Sequence, residues 1–145
     1  MGKFDFEVSP EFIKSLGRLA DIDRVAPKMI DAATPVLVRN VKREMQNHKR
    51  TGAMLNSVKA TKAKLTKKGG YFASVRPTGT SQDYINESGK KHKRKEPVRN
   101  MEILAHLEYG TKDQPATPIL TNALNDSRSE IEQIMAQTFK EEMSK

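Results

Sequence analysis

The sequence predicts an α+β fold: a small, mainly antiparallel sheet packed against a long kinked helix and a C-terminal helix, with a long basic loop. Three observations predict it. Two long stretches carry apolar residues at helical spacing: Ala26, Ile30, Ala33, Leu37, Val41 and Met45 in the first, and Leu120, Leu124, Ile131, Met135, Phe139 and Met143 in the second. Between them, residues 57–75 alternate apolar and polar side chains around a Gly69-Gly70 turn. Apolar residues are only 36% of the 145, aromatics 6% and charged residues 30%, so the core is expected to be thin and aliphatic and residues 1–145 to form one domain.

Phe4, Phe6 and Val8, alternating with Asp5 and Glu7, predict a short half-buried strand. Ser9-Pro10-Glu11 follows as a helix start, with a capping hydroxyl, a proline whose missing N–H costs nothing there, and an acid at the positive end of the dipole. Phe12, Ile13, Leu16, Leu19 and Ala20 line that helix, which should end near Asp21. A second helix is predicted from about Asp23 to His48; Pro27 falls in its first turn, whereas Pro35 removes an internal hydrogen bond and should kink it. After a turn at Lys49-Arg50-Thr51-Gly52 and a short apolar stretch, Ala53-Met54-Leu55, residues 57–66 and 71–75 read as a hairpin. The apolar phase slips between Ala60 and Ala63, which predicts a bulge.

Pro77 and Gly79 close the second strand, and residues 78–99, polar and lysine-rich, are expected to form a flexible basic insertion. Met101 to Gly110 reads as a short helix or strand stopped by Gly110, and Thr111 to Pro118 as a linker stiffened by proline. Thr117 as cap and Pro118 at the first position then open the terminal helix.

The net charge is +8. Residues 39–99 hold seventeen basic and four acidic side chains, a net +13, so the flanks together carry −5. This asymmetry points to a polyanion or an acidic protein surface as partner. The absence of cysteine excludes disulfides, thiolate metal sites and cysteine nucleophiles. The first residues lack the apolar core of a signal peptide and no window approaches the roughly 18 apolar residues of a membrane span, so synthesis in a cytoplasm and no membrane partner are expected.

Chemistry is hard to find. His48, His92 and His106 lie far apart, none with a second ligand at helical metal-site spacing, and no Walker loop, nucleophile elbow or dinucleotide glycine pattern occurs. The expectation is a protein that is not an enzyme, with no metal, no cofactor and no small-molecule substrate. Lys90, Lys91, Lys93, Arg94, Lys95 and Arg99 are the residues expected to meet DNA phosphates or an acidic partner. Only Tyr84 lies near them for stacking, and no helix carries a base-reading pattern, so DNA contact would be non-specific. One functional reading is thus a small basic, non-specific DNA-binding protein.

Two further stretches support another. Arg50-Thr51-Gly52-Ala53-Met54-Leu55-Asn56-Ser57-Val58 follows the long helix and opens a strand. His106-Leu107-Glu108-Tyr109-Gly110-Thr111 then leads through Pro115-Ala116-Thr117-Pro118-Ile119-Leu120 into the last helix. In this order the two stretches resemble the family of head-tail joining, or tail-completion, proteins of long-tailed bacteriophages related to minor tail protein Z. That family has an Arg-Thr-Gly-x-Leu-x-x-Ser element after its long helix and a Glu-aromatic-Gly-Thr element before a Pro-Ala-x-Pro-Phe-Leu segment. Met54 stands at the family's Leu and Ile119 at its Phe, both still apolar, while Leu55 replaces a frequent Arg. The insertion from about Gly79 to Arg99 is longer and more basic than the motif spacing requires.

The resemblance implies a virion protein of the neck or upper tail, assembled in the host cytoplasm. It implies a ring, often sixfold, around the DNA channel. The implied partners are copies of itself, tail terminator or tail tube proteins, head connector or stopper proteins, and genome DNA through its phosphates. The motif residues Arg50, Thr51, Gly52, Met54, Ser57, Glu108, Tyr109, Gly110, Thr111, Pro115 and Pro118 would shape the subunit or its interfaces. Gly52 and Gly110 suit tight reversals, and a Glu108–Arg50 ion pair linking the motifs is expected.

Overall fold

A computed structural model describes residues 9, 10, 17, 21–48 and 52–145. The expected strand at Phe4–Val8, nearly all of the helix expected from Ser9, and Arg50 and Thr51 lie outside these residues. The chain is α+β, and its frame is a pair of long helices, α1 (Ile22–Gln46) and α4 (Ile119–Met143), packed against each other more extensively than any other two elements. They run antiparallel: Arg24 and Lys28 meet Glu142, Arg39 meets Glu130, and Arg43 meets Asp126. Between these surface pairs the seam closes over Val41, Met45, Ile119 and Ala123, all buried. The Arg39–Glu130 and Arg43–Asp126 pairs, exposed on both sides, contribute little each and act mainly to fix register.

Both prolines sit inside α1, which continues as one helix through them. Pro35 offers no N–H to the carbonyl of Asp31, one helical turn earlier. The hydroxyl of Thr34 fills that vacancy, donating to the Asp31 carbonyl oxygen at 3.2 Å. A side-chain donor beside the proline thus lets the helix carry on.

A single helical turn, α2 (Ala53–Asn56), follows, and then the predicted hairpin. Strand β1 (Val58–Ala60) pairs antiparallel with β4 (Val75–Pro77), and β2 (Lys64–Leu65) with β3 (Tyr71–Phe72). From the Ala60–Val75 pair to the Lys64–Phe72 pair one strand advances four residues and the other three, so the expected bulge is present. Thr61 stitches it: its amide donates to the Ser74 carbonyl at 2.8 Å and its hydroxyl accepts from the Ser74 amide at 2.9 Å. Val58 and Pro77 turn inward against the helices.

The segment expected as a loop is a second hairpin, β5 (Thr80–Ile85) paired with β6 (Lys91–Arg99). Its polar composition hid two ordering devices. At the tip, the Asn86 amide donates to the Lys90 carbonyl at 3.0 Å, its own carbonyl accepts from the Gly89 amide at 3.0 Å, and its side-chain oxygen takes the Lys90 amide at 2.9 Å. Midway, β6 bulges opposite Gln82, whose amide donates to the carbonyls of Arg94 and Lys95 at 3.1 and 3.2 Å. The single sheet expected is therefore three two-stranded antiparallel ribbons among the described residues.

Residues 100–109 resolve the helix-or-strand choice as helix, α3 (Asn100–Tyr109). Leu104 is fully buried and joins Met45, Val58 and Ile119 in the core, with Met54, Leu55, Val75 and Leu107 packed around them. No helix among the described residues is long and apolar enough to cross a membrane.

Candidate functional site

The two motif stretches, some fifty residues apart in sequence, meet at the end of the α1–α4 seam. Gly52 adopts φ 80°, the left-handed conformation that starts α2 without a side-chain penalty. The turn places Met54 and Leu55 on the core and closes with the Ser57 hydroxyl donating to the Met54 carbonyl at 2.6 Å. The Ser57 carbonyl in turn accepts both the amide and the hydroxyl of Thr78, at 2.9 and 2.8 Å, anchoring the far end of the hairpin.

The second stretch builds a corner between α3 and α4. The sequence suggested Thr117 as the cap of α4 and Pro118 as its first residue. Instead Pro118 is the cap position, and the amide of Thr117 donates to the Leu107 carbonyl at 2.6 Å. The capping group comes from the preceding helix. One carboxylate oxygen of Glu108 accepts from the Leu120 amide at 2.7 Å and the other from the Thr121 amide at 3.0 Å, with the Thr121 hydroxyl also donating to it. The Ile119 amide turns back to Thr117 and the Asn122 amide to Pro118, so each of the first four N–H groups of α4 has a partner. Glu108 is 7% exposed. A buried acid at the positive end of a helix is the arrangement that capping and the helix dipole favour together. The expected partner Arg50 is outside the described residues.

Gly110 makes the corner fit. At φ 76° and ψ 175° it is extended with a positive φ, a conformation kept for glycine, and not the left-handed helix end expected. A Cβ there would stand 2.8 Å from the Ala116 nitrogen and 2.9 Å from the Gln114 oxygen. Thr111 and Gln114 close the tight turn beyond it. Pro115 lies exposed on the irregular run to Pro118. Tyr109 is 82% exposed. It sits between the buried cap Glu108 and the constrained Gly110, so its backbone is fixed while its ring is in solvent.

Beside this corner lies an open cleft of about 840 Å³, with Met54, Leu107, Ile103 and Val98 on its floor and Asp83, Glu102 and Asp113 among its polar lining. His48 and His106 reach it too, but no group of three or more potential metal ligands occurs among the described residues. Among the described residues lining it, none form a nucleophile–base pair.

The basic residues singled out from the sequence lie along the β5–β6 ribbon and its tip, and two of them, Lys91 and Arg94, have side-chain partners there. Lys91 pairs with Asp83 at 3.3 Å. The Arg94 guanidinium lies 4.8 Å above the Tyr84 ring, and Tyr84 stacks on His92 with centroids 5.5 Å apart. The ribbon carries three acids, Asp83, Glu87 and Glu96, for its six cations from Lys90 to Arg99. The ion pair and the ring contact take up two of those six. No protein-family model, curated protein or solved structure matches this chain.

Elsewhere one carboxylate is strongly perturbed. Glu142, with its side chain 9% exposed, accepts from Lys145 and Lys28, both at 2.7 Å, and from Arg24 at 2.9 Å. The Lys145 and Lys28 bonds lower its pKa to about 2, against a smaller opposing effect of desolvation. It clamps the start of α1 to the end of α4.

Proposed function

We propose that this chain is a structural virion protein at the head-proximal end of a phage tail, where it completes the tail and helps join it to the head connector as a ring, hexameric by resemblance, around the DNA channel. The observation that carries this reading is the division of labour inside the motif. Glu108 and Gly110 are consumed in holding two helices at a fixed angle, and Tyr109 between them presents a rigidly mounted aromatic ring to solvent. An exposed aromatic on a stiff backbone is the side chain that contributes most at a protein–protein contact, because little freedom is lost on docking. In this role the binding energy is drawn from ring closure and docking.

The test is electron microscopy of lysate from the parent phage or prophage with an early stop codon in this gene. Filled heads beside unattached tails support the joining role. Intact joined particles refute it.

A further inference from the structure

We propose that the first hairpin, residues 58–77, is a binding surface for the phosphate backbone of double-stranded DNA, and that the lysine-rich β5–β6 ribbon is not. Between Glu44 and Asp83 the chain has no acidic residue. The hairpin carries Lys59, Lys62, Lys64, Lys67, Lys68 and Arg76, all exposed and none within ion-pair distance of a carboxylate among the described residues. Two acids of α1 do touch it, but Asp23 accepts from the Tyr71 hydroxyl at 2.9 Å and Asp31 from the Ala63 amide at 2.9 Å. They pin the hairpin to α1 and leave its cations uncompensated.

The register sharpens the case. Lys59 and Arg76 stand directly opposite each other across the β1–β4 pair. Like charges in that position oppose pairing of the strands, and an anion lying over them relieves that repulsion. The bulge then shifts the phase of one strand by a residue, which brings Lys64, opposite Phe72, onto the face that holds Lys59 and Arg76. Without the bulge Lys64 would point to the other side. The row from Arg76 to the Lys67-Lys68 turn is about 25 Å long at strand spacing, matching roughly seven base pairs of duplex. Phe72, 50% exposed, lies in the row as an apolar contact. A repeated cationic row with no interleaved acid suits an evenly charged polyphosphate better than a protein surface, which carries mixed signs. The row lacks Asn and Gln for reading bases, so binding is independent of sequence.

The inference stands apart from the joining role, since it concerns the isolated protein and naked DNA. The test is fluorescence anisotropy of a random-sequence 25-base-pair duplex titrated with the full chain over a range of NaCl concentrations. The variants are Lys59→Gln/Lys64→Gln/Arg76→Gln and, for comparison, Lys91→Gln/Lys93→Gln/Lys95→Gln. At about 0.9 of slope per phosphate neutralised, the hairpin variant should flatten the plot of log K against log salt by about 2.7. The ribbon variant should leave the slope at the wild-type value. Lys67→Gln/Lys68→Gln, confined to the turn, provides a second measure with an expected change of about 1.8. A flattened slope in the ribbon variant equal to or larger than in the hairpin variants overturns the proposal. So does wild-type protein that shows no salt-dependent binding, or that prefers poly-glutamate to the duplex.

Discussion

Replacing Glu108 by alanine should be among the most damaging single substitutions in this chain, although the side chain makes no ion pair among the described residues. The buried carboxylate accepts from the amides of half-buried Leu120 and exposed Thr121, and both bonds are lost with it. Each such partly buried bond to a charged acceptor contributes about 1–1.5 kcal/mol. Loss of the negative charge at the start of α4 adds about 0.5 kcal/mol. The total is about 3 kcal/mol, which at roughly 3–4 °C per kcal/mol for a chain of this size lowers Tm by about 10 °C. Glu108→Gln keeps the shape and one acceptor oxygen but loses the charge and presents an NH₂ to an amide. It should fall about midway. Thermal and urea unfolding followed by circular dichroism would read both. If Glu108→Ala costs less than about 0.5 kcal/mol, or if Gln is as damaging as Ala, the carboxylate is not what holds α4 in place.

Gly110→Ala combines a positive φ with a Cβ 2.8 Å from backbone, so we expect a loss of more than 2 kcal/mol, whereas Gly89→Ala, at positive φ with open space around it, should cost about 1 kcal/mol by the same unfolding assay. The depressed pKa of Glu142 makes its contribution to stability fully present above about pH 5 and progressively lost as pH falls toward about 2; Glu142→Gln should flatten Tm against pH across that window and leave its shape above it unchanged. In the α1–α4 seam the Asn40 amide donates to Ser127 at 2.7 Å while its oxygen is buried with no partner, so Ser127→Ala alone should cost about 1–3 kcal/mol and the double replacement Asn40→Leu/Ser127→Ala should recover most of it in a double-mutant cycle. Arg76→Glu would face Lys59 with an opposite charge and should stabilise the hairpin by about 0.2–1 kcal/mol while weakening DNA binding; a variant that is less stable, or that binds DNA as before, contradicts the role given to this pair.

What could be read from the sequence was whatever repeats at short range. The two long helices follow from apolar residues every three or four positions, and the bulge from a slip in alternation at Ala60–Ala63 that the Thr61–Ser74 bonds then explain. The cap of α4 could not be read that way. Thr117-Pro118 is a sound local start signal, and it is overridden because Glu108, one helix earlier, reaches the same amides from inside the core. The β5–β6 ribbon was missed for a related reason: a strand held by an Asn86 turn, a Gln82 amide and a Tyr84–His92 stack needs no apolar alternation, so its composition looks like that of a loop. Among the motif residues, Gly52 starts α2 in the left-handed conformation its type allows, whereas Gly110 is extended with a positive φ and Glu108 caps α4, and neither of these, nor the exposure of Tyr109, had a sequence signal.

Charge is where the two levels of description differ most, and the difference has a physical cause. Counting cations along the chain selects Lys90 to Arg99, because that is where they are densest. Density is a poor guide to field, since a lysine beside an aspartate contributes little beyond a few ångströms, and the β5–β6 ribbon supplies Asp83 for Lys91 and a π face for Arg94. The first hairpin has wider spacing in sequence, but pairing of its strands brings Lys59 to Arg76 and the bulge adds Lys64, with no acid within ion-pair distance among the described residues. A fold selected for stability alone would have placed an acid at one of those positions, a single substitution away in chemistry and favourable by the cross-strand rule. That it does not do so is the reason to look for an anion above this hairpin and not above the other.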